Sequence, residues 1–294
     1  MTIGFIGAGR VATALALALA ERGERVVAIA SRGDSASALA AQLPGARAVS
    51  AQEVVDVAHL VFLAVSDDAV ESLAAGLRWR SGVMVAHTSG VLEVTDVLST
   101  TQAAGALVGG FHPLQTFSDT QTAIAHMPGS SIAIEAEDGA LFAELFRLAT
   151  LVGGKPFRLP AGSRALYHAS AFFAAAAVAV VLQEGIDLWT HFGATPAQAR
   201  EALLPLIAGT AATLQAQPTP ALALSGPVAR GDVGTVQRHL AALQAQAPES
   251  LCLYQLLSQR AVRLGIEKGT LAEPQAAQLR SILAGAPASH REGD

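Results

Sequence analysis

The spacing of hydrophobic and polar positions changes character once along the chain. Up to about residue 160, short β-branched runs alternate with alanine-rich stretches of helical periodicity. This alternation is typical of a parallel sheet whose strands are joined by helices. The predicted strands are Ile3–Ile6, Val26–Ala30, Leu60–Val65, Val83–Ala86, Ala106–Phe111, Ser131–Ile134 and Pro156–Leu159. The predicted helices between them are Val11–Arg22, Ser35–Gln42, Ala51–Val57, Asp68–Leu77, Leu92–Ala104 and Asp138–Val152.

Beyond Leu159–Gly162 the β-branched runs stop and helical periodicity continues, which places a domain boundary there. The sequence thus predicts an α/β domain over residues 1–160 and an all-α domain over residues 161–285. The predicted helices of the second domain are Ser163–His191, Pro196–Gln215, Thr235–Ala245, Glu249–Glu267 and Glu273–Leu283. Residues 286–294 are predicted to form a flexible tail.

A glycine turn follows the first predicted strand and opens the first helix. The segment Gly7–Ala12 matches the pattern G-x-G-x-x-G/A. Such a turn allows the backbone to approach a pyrophosphate, whose charge then faces the N–H groups of the helix N-terminus. The alternative is a glycine turn with a purely structural role. We favour a dinucleotide site, with the pyrophosphate held by Gly7, Ala8, Gly9, Arg10 and Val11.

The second predicted strand ends in Ser31 and Arg32, where an NAD-binding protein usually carries an acidic residue. A hydroxyl and a guanidinium suit a 2′-phosphate, so the cofactor is predicted to be NADP rather than NAD. In the alternative, Arg32 is an ordinary exposed residue and Asp34 takes the acid's place. Val65 and Ser66, at the end of a third strand, are expected to line the nicotinamide-ribose region.

Three further polar segments are candidates for the chemistry. Two follow predicted strands at the end where ligands bind, and the third opens the long helix with Arg164, Tyr167 and His168. The alternative for each histidine is a structural role, as a turn residue that is hydrogen-bonded to a nearby carbonyl. The candidate proton donors or acceptors are His87, His112 and His168, and the candidate substrate-binding residues are Ser89, Gln115, Thr116, Tyr167 and Arg230. On the residues alone, Arg230 and Asp232 also suit an ordinary surface pair.

Composition excludes several classes of protein. The chain has 294 residues with 19 Lys+Arg against 24 Asp+Glu, so a nucleic-acid partner is not expected. The single cysteine, Cys252, can form neither an intramolecular disulfide nor a cysteine-rich zinc site, which fits the cytoplasm and predicts no metal. With 51% hydrophobic and 15% charged residues, much of the chain must be buried in a core or a subunit interface.

The apolar block Ala169–Leu182 is shorter than the roughly 20 residues that span a bilayer. The sequence therefore predicts a buried helix and no membrane anchor. A small helical domain would cover such a helix poorly by itself, so we expect a homodimer through the second domain.

Taken together, the motifs resemble a known family: Rossmann-like NADP oxidoreductases with a DUF2520 domain, related to pyrroline-5-carboxylate reductases and 6-phosphogluconate dehydrogenase-like proteins. The resemblance rests on the glycine turn and on the segments His87–Gly90, Phe111–Phe117, Leu166–Ala169 and Gly226–Asp232. It implies an NADP(H)-dependent oxidoreductase with a 6-phosphogluconate dehydrogenase-like helical domain. A small imine, ketone or hydroxy acid would then bind between the domains.

Two other functions stay open. The protein could be a non-catalytic sensor of NADP(H) or a metabolite, or a deazaflavin-dependent reductase, because that related group shares the glycine turn. A mechanism based on lysine is not expected, since only Lys155 and Lys268 are present and neither lies on the first long helix of the second domain.

Overall fold

The computed structural model describes residues 1–117 and 119–285, which form two compact units. The first unit is Met1–Ala176, and the second begins at Ala177. The predicted flexible tail, 286–294, lies outside the described residues.

An eight-stranded sheet forms the centre of the first unit. The strands are β1 Thr2–Ile6, β2 Arg25–Ala30, β3 Arg47–Ala48, β4 Leu60–Leu63, β5 Met84–His87, β6 Leu107–Pro113, β7 Ser131–Ala136 and β8 Lys155–Arg158. Their order is β3-β2-β1-β4-β5-β6-β7-β8, so the chain reverses direction across the sheet between β1 and β4. In open α/β sheets ligands bind at such a switch point, beyond the carboxyl ends of the strands.

The predicted α/β class is confirmed, but the sheet is not parallel throughout. β7 pairs antiparallel with β6, whereas the other described neighbours pair parallel. The reason is the connection between β6 and β7, which carries only one short helix and returns the chain without a full crossover. The two-residue strand β3 was not predicted, because it is too short for a periodic signal.

The helices of the first unit flank the sheet. They are α1 Arg10–Glu21, α2 Ser35–Ala40, α3 Ala51–Val57, α4 Asp67–Ala75, α5 Val94–Val97, α6 Ser99–Ala103, α7 Thr120–Ala125, α8 Gly139–Leu151 and α9 Arg164–Ala174. The predicted helix over Leu92–Ala104 is therefore two short helices separated by Leu98, and α7 was not predicted. Helix α3 matches its predicted bounds. Its capping box between Ser50 and Glu53 is a local sequence signal, which explains why its start could be predicted.

Apolar side chains fill both faces of the sheet. Phe5, Phe62 and Phe111 on β1, β4 and β6 stack in one row, with ring centroids 5.1 and 5.4 Å apart. Ile6, Val61 and other buried residues form a separate cluster on the opposite face. Because both faces are covered, these strands consist of continuous apolar runs, as expected for parallel strands buried between helices.

The long helix predicted over Ser163–His191 is interrupted. Helix α9 ends at Ala174 and α10 runs from Ala176 to Thr190, because Ala175 adopts φ −126° and ψ −78°. No proline or glycine stands at this point to signal the break. The division between the units falls here rather than at residue 160, so α9 packs with the sheet.

The prediction that this apolar helix is buried is wrong for the single chain. The stretch Arg164–Thr190 has a mean hydropathy of 1.9 in its most apolar window, and none of that window is buried. By length and composition it could cross a membrane, although one such helix is weak evidence for a membrane protein. The reason for the exposure is that no element among residues 1–117 and 119–285 covers its apolar face.

The second unit is helical throughout its described part. After α10 come α11 Pro196–Ala216, α12 Pro220–Ala223, α13 Pro227–Arg230, α14 Val233–Gln246, α15 Pro248–Lys268 and α16 Glu273–Leu283. A small core between α13, α14, α15 and α16 contains Val236, Val262 and Leu279. The predicted longer helices are thus confirmed, whereas the two short ones are new.

Candidate active site

The glycine turn lies at the switch point, between β1 and α1. Gly7 adopts φ +112°, and a Cβ at this position would overlap the carbonyl oxygen of Ala64 after β4. Gly9 has an ordinary φ of −78° and begins α1, and a Cβ there would meet no protein atom within 4 Å. The protein's own packing therefore requires glycine at position 7 but not at position 9. The first turn of α1 contains no acidic side chain that would compete with an anion.

A cavity of about 690 Å³ extends from this turn along the carboxyl ends of β1 and β2. Its lining includes most of the predicted cofactor-binding residues: Gly7, Ala8, Gly9, Ser31, Arg32, Val65 and Ser66. The Ser31 hydroxyl lies 2.8 Å from that of Ser35, and Arg32 is exposed. Asp34 does not line this cavity.

A second cavity of about 370 Å³ shares Gly9, Ala64 and Val65 with the first. It is lined further by Arg10, Val11, Asp67, Thr88, Ser89, Gly90, Phe117 and His168. These two adjoining cavities of the first unit, which we call the groove, are lined by residues from Arg32 past the glycine turn to His168. Arg10 donates a hydrogen bond from Nη1 to the Phe117 carbonyl at 3.0 Å, which fixes one wall of the groove.

Three rings gather at the end of this groove. His112 on β6 lies with Nδ1 2.9 Å from the Tyr167 hydroxyl, and its ring centroid is 5.8 Å from that of His168. Burial lowers the pKa of His112 to about 4, with help from His168 and Arg164. Burial also raises the pKa of Tyr167 to about 12. At neutral pH His112 and Tyr167 therefore form an uncharged pair, whereas His168 is exposed to solvent.

Gly90 allows these rings to approach the chain. A Cβ on Gly90 would overlap Cδ2 of His168 and would lie 2.7 Å from Nε2 of His112. Gly90, His112 and His168 thus meet at one point of the first unit.

His87 does not reach this groove. It is fully buried at the end of β5, and neither ring nitrogen has a hydrogen-bond partner among the described residues. Burial, followed by the charge of Arg164, lowers its pKa to about 3. We therefore assign His87 no role in direct proton transfer to a ligand.

The structure reveals a buried charge cluster behind the three rings, which the sequence did not indicate. Arg164 is fully buried, and its Nε donates to Glu135 Oε2 at 2.5 Å. Its Nη1 donates to the Ser89 carbonyl at 2.8 Å, and its backbone N–H donates to Glu93 at 3.0 Å. Glu135 could have been found as the one charged residue in the apolar strand β7, whereas Glu93 carried no such signal.

Gln115 and Thr116 line neither of the two cavities. Gln115 donates to the Ala123 carbonyl at 2.9 Å, which ties it to α7, and Thr116 is exposed. Arg230 ends α13 in the second unit. The described residues contain no group of three or more His, Cys, Asp or Glu side chains that could hold a metal ion.

Comparison with known families agrees with this architecture. Residues 2–89 match the family described as NADP oxidoreductase coenzyme F420-dependent, and residues 130–261 match the domain of unknown function DUF2520. No match was found among curated protein sequences.

Solved structures share the fold. A protein from Bacteroides fragilis, provisionally described as an NADP oxidoreductase, is 28% identical, with a TM-score of 0.70 over 89% of this chain and 98% of its own. The 1-pyrroline-5-carboxylate reductase of Streptococcus pyogenes is 18% identical, with a TM-score of 0.61 over 96% and 98%. A reductive aminase from Aspergillus terreus, solved with NADPH and ethyl-5-oxohexanoate, is 17% identical, with a TM-score of 0.60 over 96% and 92%.

The family match and the solved structures indicate an NAD(P)-dependent oxidoreductase. More specifically, the chain joins a domain of the NADP oxidoreductase family to a DUF2520 domain, which confirms the resemblance seen in its motifs.

Proposed function

We propose that the protein is an NADP(H)-dependent oxidoreductase that reduces, or forms by oxidation, a small imine, ketone or hydroxy acid. The observation that carries this proposal is that the cavity lined by Arg32 and Gly7 adjoins, at Gly9, the cavity lined by His168. The aminase and the pyrroline carboxylate reductase with this fold act on related C=N or C=O chemistry by their names, which supports the substrate class.

The residues of the groove fit the cofactor. Gly9 leaves open space where a pyrophosphate would approach, and the uncapped N-terminus of α1 offers N–H groups to its charge. Ser31 and Arg32 offer a hydroxyl and a guanidinium to a 2′-phosphate, whereas Asp34 is outside the cavity. The bound cofactor would supply the hydride, and the chain supplies binding, orientation and a proton.

His168 is the group we assign to proton transfer. It lines the groove beside Gly9 and Ser89, and it is open to solvent from which a proton can be replaced. His112 is uncharged at neutral pH, so we assign it the role of orienting Tyr167 and His168 rather than that of the acid. Ser89 and Thr88 are placed to orient the substrate.

The experiment that tests the cofactor is calorimetric titration with NADPH and, separately, with NADH. We expect NADPH to bind at least about tenfold more tightly than NADH, which corresponds to about 1.4 kcal/mol. Arg32→Ala should remove this preference, because it removes the guanidinium from the cavity but leaves the glycine turn intact. Asp34→Ala is the matched control and should change neither affinity. Equal binding of both nucleotides by the unaltered protein would contradict the assignment of NADP.

A deazaflavin-dependent reductase is the second candidate, favoured by the name of the matching family. It is distinguished by mixing the protein with NADP and a reduced deazaflavin. Oxidation of the deazaflavin coupled to formation of NADPH would make the deazaflavin the second substrate. A protein that binds NADPH but oxidises it with neither deazaflavin nor any imine or ketone would instead support the sensor.

We further propose that the protein forms a homodimer through the exposed apolar face of α9 and α10. Leu166 and Phe173 are 81% and 74% exposed in the single chain, whereas leucine and phenylalanine side chains are usually buried. We expect analytical ultracentrifugation to give twice the monomer mass at micromolar concentration. Phe173→Glu should shift the equilibrium toward monomer, whereas Val57→Glu, at an exposed position in the first unit, should not. A monomer at all concentrations would contradict the proposal.

A further inference from the structure

Arg164 ties three segments of the first unit together at one buried point. Through its side chain it reaches Glu135 on β7 and the Ser89 carbonyl after β5. Through its backbone N–H it is bonded to Glu93, whose other carboxylate oxygen accepts from the N–H of Gly162 at 2.9 Å. The Glu93 carboxylate thus satisfies N–H groups at the start of α9, where negative charge is favourable.

The sheet contains a slot for the guanidinium. In the register of β5, β6 and β7, Gly110 lies directly opposite both His87 and Glu135. Side chains of directly opposed residues project from the same face of a sheet. A Cβ on Gly110 would overlap Nη2 of Arg164, so the absence of a side chain there lets the guanidinium lie between His87 and Glu135. Nη2 itself has no hydrogen-bond partner among the described residues.

Fixing Arg164 fixes the two site residues that follow it on α9. Tyr167 and His168 come three and four positions later, so they project from the same side of the helix as Arg164. The carbonyl that Arg164 holds belongs to Ser89, and the next residue, Gly90, is the point that His168 and His112 approach most closely. A shift of the guanidinium would therefore move both rings relative to the groove.

We propose that Arg164 is the positioning residue of the active site, which anchors Tyr167 and His168 of α9 to Ser89 and Gly90 through its buried ion pair with Glu135. This inference rests on the proposed function for its catalytic consequence, but its structural part can be tested without cofactor or substrate. Arg164 itself lines neither of the two cavities.

The charge of Arg164 acts on the pKa of His112. It contributes to the lowered pKa of His112, after burial and the charge of His168. The titratable groups that act on His112 are Arg164, Tyr167 and His168 from α9 and His87 from β5, and Glu135 from β7 pairs with Arg164 behind them. Burial raises the pKa of Glu135, whereas its hydrogen bond and ion pair with Arg164 act in the opposite direction.

The test separates charge from geometry with two substitutions. Arg164→Gln removes both the charge and the ion pair, whereas Arg164→Lys keeps the charge but cannot bond Glu135 and Ser89 with one planar group. We expect the pKa of His112, followed by NMR of the ring protons, to rise above about 4 in Arg164→Gln and to stay low in Arg164→Lys. Both variants should lose turnover by about 10- to 100-fold through misplacement, while NADPH affinity changes little.

The control is Arg147→Gln, which removes an arginine bonded to Glu24 and Glu144 at the surface and should alter neither quantity. If Arg164→Gln does not fold, the Lys variant and Glu135→Gln carry the test, because each keeps a polar group in the slot. The proposal would be overturned if Arg164→Lys and Arg164→Gln both kept the turnover of the unaltered protein and both kept its pKa for His112. Failure of the unaltered protein to bind NADPH would instead contradict the proposed function and leave the histidine titrations valid.

Discussion

Gly7→Ala is expected to weaken NADPH binding by at least about 100-fold, or about 2.8 kcal/mol, and to lower the melting temperature of the protein. Gly7 has φ +112°, which costs an L-residue about 1–2 kcal/mol. The added methyl group would also overlap the Ala64 carbonyl oxygen at the end of β4. Because backbone atoms cannot move as a flexible side chain does, the turn between β1 and α1 must shift.

Gly9→Ala is the matched variant that separates binding from folding. Gly9 has φ −78° and ψ −175°, which alanine adopts readily, and its Cβ would point into open space. Alanine at a compatible position stabilises a protein slightly by restricting the unfolded chain. We therefore expect an unchanged or slightly higher melting temperature for Gly9→Ala, together with clearly weaker NADPH binding, because the methyl group would occupy the path of the pyrophosphate.

Thermal unfolding and calorimetric titration of the two variants check these expectations together. Gly23→Ala provides a control for positive φ alone, since Gly23 has φ +87° in a turn away from the groove and no neighbour within 4 Å of its Cβ. It should lower stability and leave NADPH affinity unchanged. The dinucleotide site would have to lie elsewhere if Gly9→Ala bound NADPH as tightly as the unaltered protein.

The parts of the fold that could be predicted are those with a local physical cause. The turn from Gly7 to Gly9 is legible because its conformation depends on neighbouring residues, and α3 because Ser50 and Glu53 cap its start. The antiparallel pairing of β7 was missed, since strand direction depends on how the whole chain returns and not on the strand itself. The break at Ala175 was missed for a similar reason, as alanine is a good helix former.

The site shows the same division. His112 and His168 were identified because polar residues after strands and at a helix start are conspicuous in an apolar chain. The interaction of Arg164 with Glu135 joins residues far apart in sequence and needs the space left by the missing side chain of Gly110. No local sequence pattern predicts it. His87 also lies at the end of a strand, yet its side chain is fully buried, whereas His112, two residues beyond the register partner of His87 at Gly110, is only partly buried.

His168→Ala is expected to reduce turnover by about 100- to 10,000-fold while NADPH affinity stays nearly unchanged. The imidazole lines the groove, where a proton must be delivered or removed when hydride transfer changes the charge on the substrate. The His168 side chain is exposed, and it makes no ion pair or hydrogen bond with the other described residues. Its loss should therefore affect the chemical step more than the stability.

The comparison between His168 and His112 identifies the acid. Because the pKa of His112 is lowered to about 4, its imidazole is largely neutral at neutral pH, and we assign it the role of orienting its partners. His112→Gln, which can still hydrogen-bond the Tyr167 hydroxyl, should consequently retain far more turnover than His168→Ala. His126→Ala, at an exposed position after α7, controls for loss of a histidine as such.

Turnover is followed by loss of NADPH absorbance with a panel of imines and ketones. A deeper loss in His112→Gln than in His168→Ala would transfer the proton to the His112–Tyr167 pair. In that case the uncharged state of His112 would be the essential one, since a neutral imidazole can accept the hydrogen bond of a tyrosine that passes its proton to the substrate. The ratio of the two variants' rates thus decides which ring faces the reacting atom.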